Sequence, residues 1–190
     1  MDRRDFFKNS LNKAAETAVE HVDKVAKQKV NWFRPPYALP ELDFLLACTR
    51  CGECVKACLE DALFLLSGKQ GVQALNTPAL DLNSQCCLLC DDWPCLQACE
   101  PKALQKPDER QPLEKLEPIA TAHINTDACI PYSGMECGAC NISCPIDGAL
   151  FWVKTRPFID LNKCVGCGQC RQACIFDPKA IDMKLIQFNE

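Results

Sequence analysis

The chain has 190 residues and 17 cysteines, a share far above ordinary usage that indicates either a disulfide scaffold or a metal protein. Its formal net charge of −4, with no basic stripe interleaved with aromatic residues, argues against nucleic acid as a partner. No stretch approaches the roughly 18 apolar residues that a membrane span needs, so we expect no transmembrane segment.

A pair of arginines near the start, Arg3 and Arg4, is typical of a twin-arginine export signal. A secretory signal also needs an uninterrupted apolar stretch of about 7 to 15 residues, and charged residues as far as Lys24 break every candidate run. We therefore expect a cytoplasmic protein, with peripheral association to a membrane through a partner. Periplasmic location by twin-arginine export is the alternative.

An amphipathic helix is predicted in the N-terminal region, residues 1–33. Apolar side chains recur there at intervals of three and four between Phe7 and Val25, with lysine, glutamate and aspartate on the remaining faces. This stripe either packs on the protein's own body or docks on a partner protein. Prolines then end the helix and open a proline-rich linker, residues 34–41.

Residues 42–105 contain the first two of four cysteine groups. The first group has the spacing C-x2-C-x2-C-x3-C of the bacterial ferredoxin run, in which three close thiolates bind one 4Fe-4S cluster and the fourth cysteine binds its neighbour. The second group keeps the final x3 interval and lengthens an earlier interval by two residues, which a surface loop can absorb. The two groups are Cys48, Cys51, Cys54 and Cys58, followed by Cys87, Cys90, Cys95 and Cys99.

Cys86 is the one cysteine outside the groups. Taking Cys87 as the ligand restores the x2 interval to Cys90 that recurs in the other groups, whereas Cys86 would give x3. We therefore predict that Cys87 is a ligand and Cys86 a bystander thiol, with the reverse assignment as the alternative.

A second proline- and charge-rich linker is predicted at residues 106–118, and residues 119–190 then repeat the plan. The third group lengthens its first interval by five residues, and the fourth returns to C-x2-C-x2-C-x3-C. These two groups are Cys129, Cys137, Cys140 and Cys144, followed by Cys164, Cys167, Cys170 and Cys174.

Within each half, a short apolar strand, a turn and a second strand connect the two cysteine groups. The strands are predicted at residues 62–66 and 79–83, and again at residues 149–153 and 158–162. This is the layout of a ferredoxin-like module of βαββαβ type that binds two clusters. The sequence therefore predicts an α+β fold, with two tandem dicluster modules after the N-terminal helix.

Zinc and disulfides explain the groups less well than iron–sulfur clusters do. A tetrahedral zinc site has no place for a third close cysteine, and neither His21 nor His123 lies inside a group. Four cysteines on one turn are poorly placed for four independent disulfides. Gly52, Gly166 and Gly168 fit backbone that approaches cluster sulfurs closely. We predict four 4Fe-4S clusters and, without a nucleophile–base pair or phosphate loop, no enzymatic activity.

Two ways of sharing the fourth cysteines are open. In the consecutive scheme the two groups of each half exchange their last cysteine, and the internal repeat favours it. In the nested scheme the first group pairs with the fourth and the second with the third. The consecutive ligand sets are Cys48, Cys51 and Cys54 with Cys99; Cys87, Cys90 and Cys95 with Cys58; Cys129, Cys137 and Cys140 with Cys174; and Cys164, Cys167 and Cys170 with Cys144.

The order of the four groups resembles the ferredoxin-type accessory proteins of the NapG/MauM and NapF kind, over nearly the whole chain. Residues 87–95 and 129–137 are similar to the second and third NapG motifs, and residues 3–4, 34–36 and 48–51 are similar to NapF. The resemblance implies an accessory electron-transfer protein associated with periplasmic nitrate reductase or methylamine utilisation. In a departure from the family pattern, proline directly follows the last cysteine of only one group, which removes no ligand.

We expect an electron carrier that relays single electrons to or from a redox enzyme complex. Its partners would be redox proteins, with a membrane-bound or molybdenum-type oxidoreductase as a candidate and the N-terminal helix as a candidate docking element. The alternative, which the resemblance to NapF implies, is an assembly or maturation factor for a partner oxidoreductase.

Overall fold

Short helices and two-stranded sheets form the part of the chain that the computed structural model describes, residues 32–105 and 112–186. This mixture of helices and small sheets is compatible with the predicted α+β class. The predicted N-terminal helix precedes residue 32 and lies outside the described residues, as do residues 106–111, the first part of the second predicted linker. Within the described segments, no helix is long and apolar enough to cross a membrane.

The elements are short because cysteine loops interrupt them. The helices are Glu41–Ala47 (α1), Glu53–Lys56 (α2), Pro94–Gln97 (α3) and Gln169–Ala173 (α4). The strands are Leu63–Leu65 (β1), Pro78–Leu80 (β2), Thr121–Ile124 (β3), Leu150–Val153 (β4), Arg156–Ile159 (β5) and Ile181–Lys184 (β6). Single 3-10 turns lie at Gly68–Gln70, Leu113–Lys115 and Ile130–Ser133.

Each half contains the antiparallel strand pair predicted between its two cysteine groups. Strand β1 pairs with β2, with Leu63 opposite Leu80, and β4 pairs with β5, with Leu150 opposite Ile159. In the second half, β3 also pairs with β6, so the two ends of that half meet. The second half therefore runs strand, 3-10 turn, strand, strand, helix, strand.

The first half has the same plan in reduced form. A single antiparallel bridge between Ala38 and Leu104 occupies the place that the β3–β6 pair has in the second half. The Leu39 N–H also donates to the Ala103 carbonyl at 3.0 Å. Part of the segment predicted as the first linker, residues 34–41, thus closes the first half.

A common hydrophobic core joins the two halves. Phe44 and Leu82 of the first half belong to the same buried cluster as Ile146, Val165 and Met183 of the second. Burial of apolar side chains from both halves in one cluster favours their folding together, because each half alone would expose part of this surface to water.

Arg34 fixes the entry of the chain into the first half. Its guanidinium forms a bidentate ion pair with Glu41, at 2.7 and 2.8 Å, and lies 4.4 Å from the centre of the Phe44 ring. It also donates to the Thr77 hydroxyl at 3.0 Å and to the Pro78 carbonyl at 2.6 Å. The planar guanidinium makes all these bonds at once, which the single ammonium group of a lysine could not do.

We expect Arg34→Met to lower the free energy of unfolding by about 2 to 3 kcal/mol, because Glu41 and the buried Thr77 would lose charged partners. The matched control is Lys56→Met, which removes an exposed ion pair with Glu53 and should change stability by less than about 0.5 kcal/mol. Urea unfolding of the purified holo-protein measures both. Equal urea midpoints for the two variants would contradict the stabilising role that we assign to Arg34.

Candidate metal centres

Three of the four cysteine groups share one backbone turn. In each, the residue before the second cysteine and the residue two before the third cysteine have positive φ, and a short helix begins directly after. This double left-handed turn curls the backbone so that three cysteines of the group face one point. The residues with positive φ are Arg50 and Gly52 in the first group, Leu89 and Trp93 in the second, and Gly166 and Gly168 in the fourth.

Three of these left-handed residues are not glycine, at a conformational cost of about 1 to 2 kcal/mol each. Their side chains make compensating contacts. The Arg50 guanidinium donates to the carbonyls of Gln73 and Leu75, at 3.1 and 3.2 Å, and so is more than a solvated charge. Leu89 and Trp93 are buried, and the Trp93 ring meets the edge of Tyr37 at 5.0 Å.

Gly166 has a packing constraint that the other loop glycines lack. A Cβ placed there would lie 2.0 Å from the carbonyl oxygen of Ala120, whereas at Gly52 the nearest atom would be 3.8 Å away. The tight neighbour is therefore protein backbone. Gly166 lets the loop of the fourth group pass directly against the residue that precedes β3.

Two cavities are each lined by four cysteines that come from two different groups. One, of about 30 Å³, is lined by Cys58 together with three cysteines of the second group, and by Leu63, Leu80 and Trp93. The other, of about 20 Å³, has Cys174 with three cysteines of the third group, and Trp152 in its wall. Apolar walls around convergent sulfurs suit an inorganic cluster. The cysteines of the two cavities are Cys58, Cys87, Cys90 and Cys95, and Cys129, Cys137, Cys140 and Cys174.

The neighbours of the remaining cysteines are identified by the charges that raise the pKa of each thiol. Burial, followed by negative charge at Cys99, Cys48 and Cys51, raises the pKa of Cys54 to about 11. Burial, followed by charge at the other three thiols of its set, raises the pKa of Cys170 far above its ordinary value. Those three thiols are Cys167, Cys164 and Cys144. The structure thus brings together the four thiols of every set in the consecutive scheme, and the nested scheme does not describe these neighbours.

The thiols could not all ionise in these surroundings without added positive charge. Burial is the largest cause that raises the pKa of Cys87 and of Cys95 to about 12, and that of Cys140 to about 11. Low-pKa catalytic thiolates need electropositive surroundings, whereas here neighbouring thiols add to the effect of burial and raise the pKa further. Iron would supply the missing charge, because metal ligation deprotonates a thiol outright.

The sets also differ from a single-ion site. In residues 32–105 and 112–186, no three His, Cys, Asp or Glu side chains converge tightly enough to hold one metal ion. A four-iron cluster instead bonds each thiolate to a different iron. All seventeen cysteines lie in the described residues, and all are free thiols.

Cys86 does not line the cavity that Cys87 lines, and its assignment as a bystander thiol stays a prediction. Its thiol is buried, and its backbone N–H donates to the Gln172 side-chain carbonyl at 2.8 Å. Sequence reasoning missed this role of Gln172. The sequence also gives no indication that the Arg171 guanidinium donates to the carbonyls of Asn83 and Ile181. Partners so distant along the chain leave no local sequence signal.

Comparison with known proteins agrees with this chemistry. A family model described as a 4Fe-4S binding domain matches residues 155–174, which contain the fourth cysteine group. The methylamine utilization ferredoxin-type protein MauM of Methylorubrum extorquens is 32% identical over 94% of this chain and 87% of that relative. The ferredoxin-type protein NapG of Haemophilus influenzae is 30% identical over 95% of this chain and 70% of that relative.

NapF of Escherichia coli, also a ferredoxin-type protein, is 30% identical over 76% of this chain and 80% of that relative. No solved structure matches the chain. The cysteine sets and the family match define an iron–sulfur protein of the ferredoxin type, a class that carries 4Fe-4S clusters and transfers electrons. Within that class, the chain belongs to the family of the MauM, NapG and NapF ferredoxin-type proteins, which confirms the resemblance found in the sequence.

We expect Gly166→Ala to abolish the fourth cysteine set, because the new methyl group would overlap the Ala120 backbone. The iron content should fall by at least about four per chain, the stoichiometry of one cluster. Iron and acid-labile sulfide analysis of anaerobically purified protein measures this. Gly138→Ala, in the third group, is the control, because nothing lies within 4 Å of a Cβ placed there. Full iron content in the Gly166→Ala variant would refute the packing constraint.

Proposed function

We propose that the sixteen grouped cysteines bind four 4Fe-4S clusters, and that the protein relays single electrons to or from a redox enzyme complex. The observation that carries this proposal is the convergence of the cysteines into four sets of four, each set combining three cysteines of one group with the last cysteine of another. Exchange of the last cysteine within each half supports two dicluster modules of ferredoxin type.

Each cluster, when bound, supplies one-electron redox chemistry. The chain's own residues shape the surroundings of the thiolates. The N–H of Leu104 donates to the Cys99 sulfur and the N–H of Ala180 to the Cys174 sulfur, both at 3.4 Å. Hydrogen bonds to ligand sulfur disperse negative charge and favour the reduced state. Trp93 and Trp152 line the two cavities and limit access of water to the sulfurs.

We infer the class of partner protein from the family. One relative is named for methylamine utilization, and we propose by analogy that this protein serves an oxidoreductase of a catabolic or respiratory pathway. The activity of the mature partner enzyme distinguishes an electron relay from a maturation factor. A mature partner that stops turning over when this protein is removed identifies a relay, whereas a mature partner that continues identifies an assembly factor. Docking by the N-terminal region and cytoplasmic location remain predictions.

The four-cluster proposal predicts about sixteen irons per chain in anaerobically purified protein. Cys87→Ala should lose about four of them, because it removes a ligand of the second set. The adjacent Cys86→Ala should retain all of them, because the Cys86 thiol lies outside every set. Stoichiometric zinc, or iron far below sixteen in the parent protein, would overturn the proposal. Iron loss in Cys86→Ala with none in Cys87→Ala would reverse the ligand assignment.

A further inference from the structure

The hydrogen bonds between the two halves, within the described residues, are confined to one place. The Cys87 N–H donates to the Cys167 carbonyl at 2.8 Å, and the Cys86 N–H donates to the Gln172 side-chain carbonyl at 2.8 Å. The Gln169 amide donates to the Cys87 carbonyl, and Arg171 donates to the Asn83 carbonyl, both at 3.1 Å. We call residues 83–87 and 167–172 together the junction.

The centre of the junction is close-packed. Cys86 and Cys167 are buried, as are Leu82 and Val165, which flank the two segments. A Cβ placed at Gly168 would lie 3.6 Å from the Cys86 side chain, which is ordinary van der Waals contact. The two backbones therefore meet with no side chain between them.

Two residues of the junction belong to different cysteine sets. Cys87 is in the second set and Cys167 in the fourth, and one backbone hydrogen bond joins them directly. Within each half, the exchange of last cysteines brings that half's two sets side by side.

We propose that electrons cross between the halves at this junction, so that the four cysteine sets are arranged in the order first, second, fourth, third. This inference rests on the proposed function and adds to it a route that departs from sequence order. The first and third sets become the two ends. Cys51 of the first set is the one exposed cysteine of the four sets, in agreement with an end position for the first set.

Three side chains of helix α4, Gln169, Arg171 and Gln172, act as positioning residues for this route. They hold the segment that bears Cys87 and satisfy buried backbone groups there. The corresponding helix of the second cysteine group, α3, makes no such bond across the halves within the described residues. Its Gln97 amide instead donates to the Asp92 carbonyl of its own loop.

The order is tested by magnetic coupling between reduced clusters in proteins that keep only two sets. The variant that keeps the second and fourth sets should show electron paramagnetic resonance signals split by coupling between its two reduced clusters. The variant that keeps the second and third sets should show no such splitting. Each set is removed by a pair of alanine substitutions. Of the substituted residues, only Cys170 lies within residues 83–87 or 167–172. The pairs are Cys48→Ala with Cys51→Ala, Cys137→Ala with Cys140→Ala, and Cys164→Ala with Cys170→Ala.

Coupling as strong between the second and third sets as between the second and fourth would overturn the order. Each two-set protein should contain about eight irons. The parent protein's iron content separates the two proposals: about sixteen irons without coupling of the second and fourth sets refutes the junction alone, and a large shortfall refutes the four-cluster function.

A second test keeps every ligand and so does not depend on the folding of depleted variants. Gln169→Leu combined with Gln172→Leu removes two of the bonds across the junction, and Gln97→Leu in α3 is the matched control. All three proteins should retain full iron. After rapid one-electron reduction, electron equilibration between the halves should slow in the double variant and remain parental in the control, with a matching loss of magnetic splitting. Parental equilibration and splitting in the double variant would overturn the proposal.

Discussion

The fold depends on the need to bring together four thiols from two sequence groups. Burial, with negative charge at neighbouring thiols, raises the pKa of Cys54 to about 11 and that of Cys87 and Cys167 to about 12. Only a compact positive centre makes four adjacent thiolates favourable. The short hairpins β1–β2 and β4–β5 and the left-handed loop turns are the means by which each half folds its second group back onto its first.

Much of this could be predicted from the sequence because ligand spacing is a local property. The interval C-x2-C-x2-C-x3-C determines that three thiols face one point, and the apolar runs between groups determine the hairpins. The strands are shorter than predicted. The first is Leu63–Leu65 in place of residues 62–66, because the loops that carry the cysteines include the residues on either side of it. The insertions in the second and third groups did not change which cysteines converge.

What the sequence could not predict depends on contacts between distant residues. Leu89 and Trp93 adopt the left-handed turn that glycine adopts in the fourth group, so composition conceals the repeat there. Gly166 was expected to face cluster sulfur, yet its limiting neighbour is the Ala120 carbonyl. Gln172 contacts a residue 86 positions earlier in the chain, and no local periodicity marks such a contact.

The junction and the closure of the second half depend on the same side chain. Arg171 donates to the Ile181 carbonyl in β6 and to the Asn83 carbonyl of the first half, and its guanidinium lies 3.8 Å from the Asp182 carboxylate. Strand β6 in turn pairs with β3, so Arg171 of α4 contacts both the closing sheet of the second half and the segment of residues 83–87. Arg171 thus links the closure of the second half to the junction, and in the proposed route the two halves form one electron-transfer unit rather than two independent modules.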